Sequence, residues 1–159
     1  MNNPYSPPAA RVADPEATIT DVVYAGFWRR LLASMIDGLI IIVITVPLLL
    51  WVYGPAYLVD QEKGFISGPA EFLISYVFPL VATVLFWKYR AATPGKMMLK
   101  LKIVNASDFG AMSTGQAFGR YFAYIPAALV LCIGFLWVAF DARKQGWHDK
   151  LAGTVVIRG

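Results

Sequence analysis

Apolar positions gather into three blocks, at about residues 31–53, 70–88 and 121–140, separated by mixed and polar stretches. The first is about 35 Å long as a helix, enough to cross a hydrocarbon core of about 30 Å with some tilt. Its single charge is Asp37, and the third block, from Tyr121 to Phe140, has none. Aromatic rings mark the edges: Tyr24, Phe27 and Trp28 before the first block, Trp51 and Tyr53 at its end, Trp87 and Tyr89 after the second, and Trp137 and Trp147 around the end of the third. That is the belt expected where amphipathic rings sit at headgroup level. The pattern predicts an all-α integral membrane protein, a bundle of three hydrophobic helices.

Two short stretches have another period. Over Met97–Val104, Met97, Leu99, Leu101 and Ile103 face one way and Lys100 and Lys102 the other, and Thr154–Arg158 is rich in β-branched residues. They predict two strands that pair as a short cytoplasmic β-ribbon. Pairing needs both ends of the third block on one side of the membrane. A re-entrant hairpin broken near Pro126 or Gly134 meets that need, whereas a third full crossing does not. Both topologies stay open here. Residues 1–23, with Pro4, Pro7, Pro8 and Pro15 among small and polar residues, predict a disordered cytoplasmic tail before a membrane domain at 24–158.

Composition strengthens the membrane reading. Of 159 residues 58% are hydrophobic and 15% charged, against about 25% charged in soluble domains, and the mean hydropathy is +0.57. The lipid bilayer is the expected solvent for much of the surface. Charge then sets direction. Of 14 Lys and Arg, Lys63 alone lies between the first two blocks, so that loop is expected outside and the N-terminus in the cytoplasm, in a bacterial inner membrane. The basic face is explained by orientation and anionic lipid, with no nucleic acid implied.

Candidate chemistry is sparse. One cysteine (Cys132) and one histidine (His148) exclude a disulfide and a Cys/His zinc site. Cys132 reads as a packing residue, and no metal or cofactor is expected. Thr93-Pro94-Gly95-Lys96 lacks the first glycine and the final hydroxyl of a phosphate-binding loop and reads as a turn. No catalytic constellation stands out, so an enzyme is not expected. Asp37 is the sharpest residue. A carboxylate inside a membrane segment costs about 2.5–3.5 kcal/mol on insertion scales and must face protein or water. It shares a helix face with Ser34, Gly38, Ile41 and Thr45, where Ser34 and Gly38 would let a neighbouring helix approach. Asp37 is either a proton or cation site or a structural charge paired with Arg120 or another basic group.

The run Ala25-Gly26-Phe27-Trp28-Arg29-Arg30 to Asp37 resembles the opening of the RDD family of bacterial membrane proteins. Ala92-Thr93-Pro94-Gly95-Lys96-Met97 with Leu101–Val104 is similar to that family's centre. Gly134–Trp137 and Gln145-Gly146-Trp147-His148-Asp149-Lys150 are similar to its ending. The resemblance implies that Arg30, Asp37 and Asp149 are the arginine and two aspartates behind the name. It also implies an integral membrane domain linked with transport, with sodium–proton exchange proposed for some members. Two functions follow as expectations. One is transport of an ion or small solute by a homo-oligomer, or with a partner membrane protein, using the buried aspartate. The other is a non-transporting scaffold or accessory subunit.

Overall fold

A computed structural model of the chain describes residues 22–59, 68–130 and 133–159. The expected tail over 1–21, the loop charge Lys63 and the packing residue Cys132 lie outside the described residues. Helix α1 (Phe27–Tyr53) is one 27-residue rod, starting a turn before the expected block. Pro47 within it withholds the N–H that the Val43 carbonyl would accept. After a 3₁₀ turn at Pro55–Leu58, the second rod is built from α2 (Pro69–Phe72), a π-helical stretch (Leu73–Val77) and α3 (Phe78–Arg90). Pro79 brings no N–H for the Ser75 carbonyl, and the wide turn falls where that bond is missing. Phe27–Tyr53 and Pro69–Met98 are each long and apolar enough to cross a membrane. Leu39, Val43, Trp51, Leu73 and Leu85 are exposed along them, as lipid-facing residues would be.

The ribbon is present, with a shifted start. Met97 and Met98, expected to begin the first strand, end α4 (Pro94–Met98) instead. Thr93 is extended, and the fixed φ of Pro94 suits the first helical position, so local chemistry starts a helix there. Lys100, at φ 54°, then turns the chain into β1 (Leu101–Asn105). That strand pairs antiparallel with β2 (Thr154–Arg158), Ile103 opposite Val156. Leu101 and Ile103 are buried and Lys102 is exposed, so the alternation holds within the strand. Both edges are covered. The Ile103 N–H donates to the Ala91 carbonyl (2.6 Å), and the Ala25 N–H to that of Val156 (2.9 Å). Val23, assigned to the tail from sequence, already accepts the Arg158 N–H at 2.9 Å.

The third block is two helices, α5 (Thr114–Leu129) and α6 (Ile133–Phe140), bent by 100°. Helix α5 starts earlier than the apolar run because Ser113 and Gln116 form a reciprocal capping box. Gly134 lets α6 fold against α5; a Cβ there would sit 2.7 Å from Ala127 Cα. Both ends of the bent pair reach the ribbon. Before α5's second turn, Gln116 Nε2 donates to the Gly153 carbonyl (3.2 Å). After α6, Arg143 Nη2 donates to Ala106 (2.8 Å) and Gln145 Nε2 to Thr154 (2.8 Å). A short helix, α7 (Trp147–Leu151), then leads into β2.

The core lies at this junction rather than midway along the rods. Ala25, Ala33, Val84, Trp87, Ile103 and Val156 are buried there against α5 residues such as Ala117. Gly38, expected to let a neighbouring helix approach, meets none among the described residues. A Cβ on Gly38 or Gly119 would meet nothing within 4 Å, whereas one on Gly95 or Gly134 would strike backbone.

Candidate charged site

Helix α7 places Asp149 under the ends of α1 and α5. Gly146 precedes it with extended backbone, and its N–H donates to Asp149 Oδ2 at 3.0 Å, which orients the carboxylate. Two arginines close on that carboxylate. Arg30 Nη1, from the first turns of α1, donates to Oδ2, and Arg120 Nη1, from α5, pairs with Oδ1. Asp149 is 0% exposed and Arg120 1%, so the triad is dry. Outer contacts fix each arginine further: Arg30 Nε donates to the Ala25 carbonyl at 2.9 Å, and Arg120 Nη1 to Thr154 Oγ1 at 2.5 Å. The triad therefore ties α1, α5, α7 and the ribbon together.

Burial alone would raise the Asp149 pKa. The charges of Arg120 and Arg30 outweigh it and hold the carboxyl well below the usual carboxylate range. His148 goes the other way for a base. Burial, joined by the positive charges of Arg120, Arg30 and Lys96, lowers it to about 3 although Asp149 opposes the shift. It is neutral at neutral pH. Its ring lies 4.5 Å from Tyr124 and 5.3 Å from Phe135, with Nε2 3.5 Å from Asp149 Oδ1. A Cβ on Gly146 would come within 2.7 Å of that ring, so glycine is required for the packing.

Three of the four residues singled out from sequence thus meet: Arg30, Arg120 and Asp149. Asp37 does not join them, and the pairing of Asp37 with Arg120 is overturned because Asp149 takes that arginine. Asp37 instead accepts the Thr93 hydroxyl on Oδ2 (2.5 Å) and the Gly95 N–H on Oδ1 (2.7 Å). It docks the turn before α4 onto α1. No Lys or Arg pairs with it among the described residues. Beside it a cavity of about 100 Å³ is lined by Ile41, Phe78, Thr83 and Thr93.

The sequence reading missed Lys96 and Thr154. Lys96 was passed over once the phosphate-loop pattern failed, yet it is buried against α1. Its signal was the Thr-Pro-Gly start of a helix, which turns the following lysine back into the fold. Among the described residues no three His, Cys, Asp or Glu side chains gather as a metal site.

The family model of the RDD family matches residues 24–153, which hold Arg30, Asp37, Arg120 and Asp149. YxaI of Bacillus subtilis (strain 168) is 35% identical over 147 residues, covering 84% of this chain and 96% of that protein. The membrane protein YteJ of the same strain is 29% identical over 147 residues, covering 89% and 85%. RP437 of Rickettsia prowazekii (strain Madrid E) is 39% identical over 75 residues, 47% of this chain and 41% of its own. No solved structure matches the chain. The chain belongs to the RDD family.

Proposed function

We propose that this RDD-family chain is a multi-pass, non-enzymatic protein of the bacterial inner membrane that moves an ion or small solute, with Asp37 as its exchangeable carboxyl. The observation that carries this reading is the set of partners around Asp37. It lies within α1, takes hydrogen bonds from uncharged donors only among the described residues, and borders a cavity. An ionisable residue at such a place is costly unless it has a use. Three short segments enclose little volume, so a path would be completed by a second copy or by a partner membrane protein.

The orientation belongs to the same proposal. The N-terminus is cytoplasmic, the loop holding Lys63 is outside, and α5 and α6 enter the bilayer and return. The hydrogen bonds from Gln116 to Gly153 and from Arg143 to Ala106, at the same end of one ribbon, support the return. In a Cys132→Ser background, cysteines at Ser107 and Ala142 are expected to resist an impermeant thiol reagent in intact spheroplasts, while a cysteine at Ser67 reacts. Opposite labelling of Ser107 and Ala142 would mean a third crossing.

The rival reading is a scaffold or accessory subunit. The docking of Thr93 and Gly95 on Asp37 favours it, since that arrangement alone gives the carboxylate a structural role. The Asp37→Asn variant separates the two. An amide accepts from the Gly95 N–H and donates to the Thr93 hydroxyl, so the variant is expected to accumulate and melt like the parent. In proteoliposomes the parent should show ion-dependent flux and the variant at least about tenfold less, roughly 1.4 kcal/mol or more in the barrier. A parent without flux, or a variant with full flux, sets the transport reading aside.

A further inference from the structure

A second cavity, of about 350 Å³, lies between α1, α4, α5 and α6, within the size range of small-ligand sites. The charged groups on its wall are cationic. Arg30, Lys96 and Arg120 all line it and all are buried, with 8%, 6% and 1% exposure. The two arginines share one carboxylate, that of Asp149, and Lys96 makes no ion pair among the described residues. Lys96 Nζ reaches only Thr93 Oγ1 there, at a long 3.4 Å. Arg30 Nη2 and Arg120 Nε are buried N–H groups with no acceptor among the described residues. Asp37, the other carboxylate nearby, is engaged by Thr93 and Gly95 and lines the smaller cavity. Three cations against one carboxylate leave an uncompensated positive site in a dry place, a costly arrangement unless an anion completes it.

Ser34, Tyr124 and His148 also line the cavity, and the remaining wall, including Phe27, Phe135 and Val138, is apolar. Leu31 and Leu136 line the cavity and are also partly exposed, so it opens between α1 and α6 on a lipid-facing side. A small hydrated anion would leave the apolar part of the wall unused, and a cation would be repelled. An amphiphile satisfies both halves of the wall.

We propose that this cavity binds an oxyanion, a carboxylate or a phosphate, carried on an apolar chain. Arg30, Lys96 and Arg120 hold the anion, and the chain leaves between Leu31 and Leu136 into the bilayer. The proposal is independent of any transport through Asp37.

Thermal unfolding of the full chain, purified and delipidated in a neutral detergent, tests it. Dioleoylphosphatidylglycerol or decanoate is expected to stabilise the protein saturably, and dioleoylphosphatidylcholine and inorganic phosphate are not. The stronger of the two responses identifies the source, a lipid headgroup or a free acid, and either one supports the site. Lys96→Gln should weaken the response about tenfold, that is by about 1.4 kcal/mol of binding. Leu136→Trp, which fills the cavity from its rim and touches no charge, should abolish it. Equal stabilisation by the zwitterionic lipid overturns the proposal. So does an equal response to phosphate alone, no response to either anionic amphiphile, or a parent-like response in both variants.

Discussion

Asp149→Asn is expected to accumulate poorly and to unfold about 10 °C or more below the parent. The substitution keeps the shape of the side chain and removes the charge that two buried arginines share. Breaking one buried pair by removing a partner costs about 3–5 kcal/mol, because the remaining charge is left without compensation. Here two guanidinium groups are stranded, at the junction where α1, α5 and the ribbon meet. For a chain of this size that loss corresponds to the stated fall in melting temperature. A second substitution checks the cause. Arg30→Gln in the Asp149→Asn background removes one stranded charge and should recover part of the loss, whereas Arg30→Gln alone should destabilise. The surface pair of Asp141 and Lys150, 2.5 Å apart with the lysine 45% exposed, is the control. Lys150→Ala should change stability by less than about 1 kcal/mol. Detergent-phase unfolding of the four variants decides the matter. An Asp149→Asn protein that melts with the parent would mean that packing alone holds the junction.

The triad could not be read from the chain, because its members meet across sequence separations of 119 residues for Arg30 and Asp149 and of 29 between positions 120 and 149. Charge alone paired Arg120 with Asp37, the carboxylate already known to lie in a membrane segment. Geometry assigns it to Asp149, which the position of α7 brings to hand. The helices were legible for a plain reason: an apolar run long enough to cross lipid has few other folds open to it. The ribbon was legible from alternation at Leu101–Ile103 and from the β-branched run at Val155–Ile157. It was misplaced at Met97 because a period of two was read from there, within the reach of a helix that Thr93-Pro94 starts and that takes precedence over side-chain alternation. The bend between α5 and α6 was foreshadowed by Pro126 and Gly134. The reason for it, contact of both ends with one ribbon, is a long-range fact.

Gly95→Ala tests the junction from the α1–α4 side. Small residues at a helix contact matter only where another backbone arrives, as that of α1 does for Gly95, at Ala33. An added Cβ at Gly95 would lie 2.2 Å from the Ala33 carbonyl oxygen and 3.0 Å from Asp37 Cγ. The first contact is with helix backbone, which cannot step aside as a side-chain tip would. Helix α4 must therefore move off α1. That movement lengthens the hydrogen bonds of Gly95 N–H and Thr93 Oγ1 to Asp37, and leaves a carboxylate within the membrane helix without its donors. Overpacking costs about 1–3 kcal/mol, and each hydrogen bond to a charged group contributes about 1.5–3 kcal/mol. The variant is expected to lose several kcal/mol, enough to lower its abundance and its melting temperature sharply. Gly38→Ala, one residue beyond Asp37 on α1, supplies the contrast. A Cβ there meets nothing within 4 Å, and alanine is the better helix former by about 1 kcal/mol. Gly38→Ala should be neutral or slightly stabilising in the same assay. If Gly95→Ala and Gly38→Ala behave alike, the close approach of α4 to Asp37 does not hold the protein together.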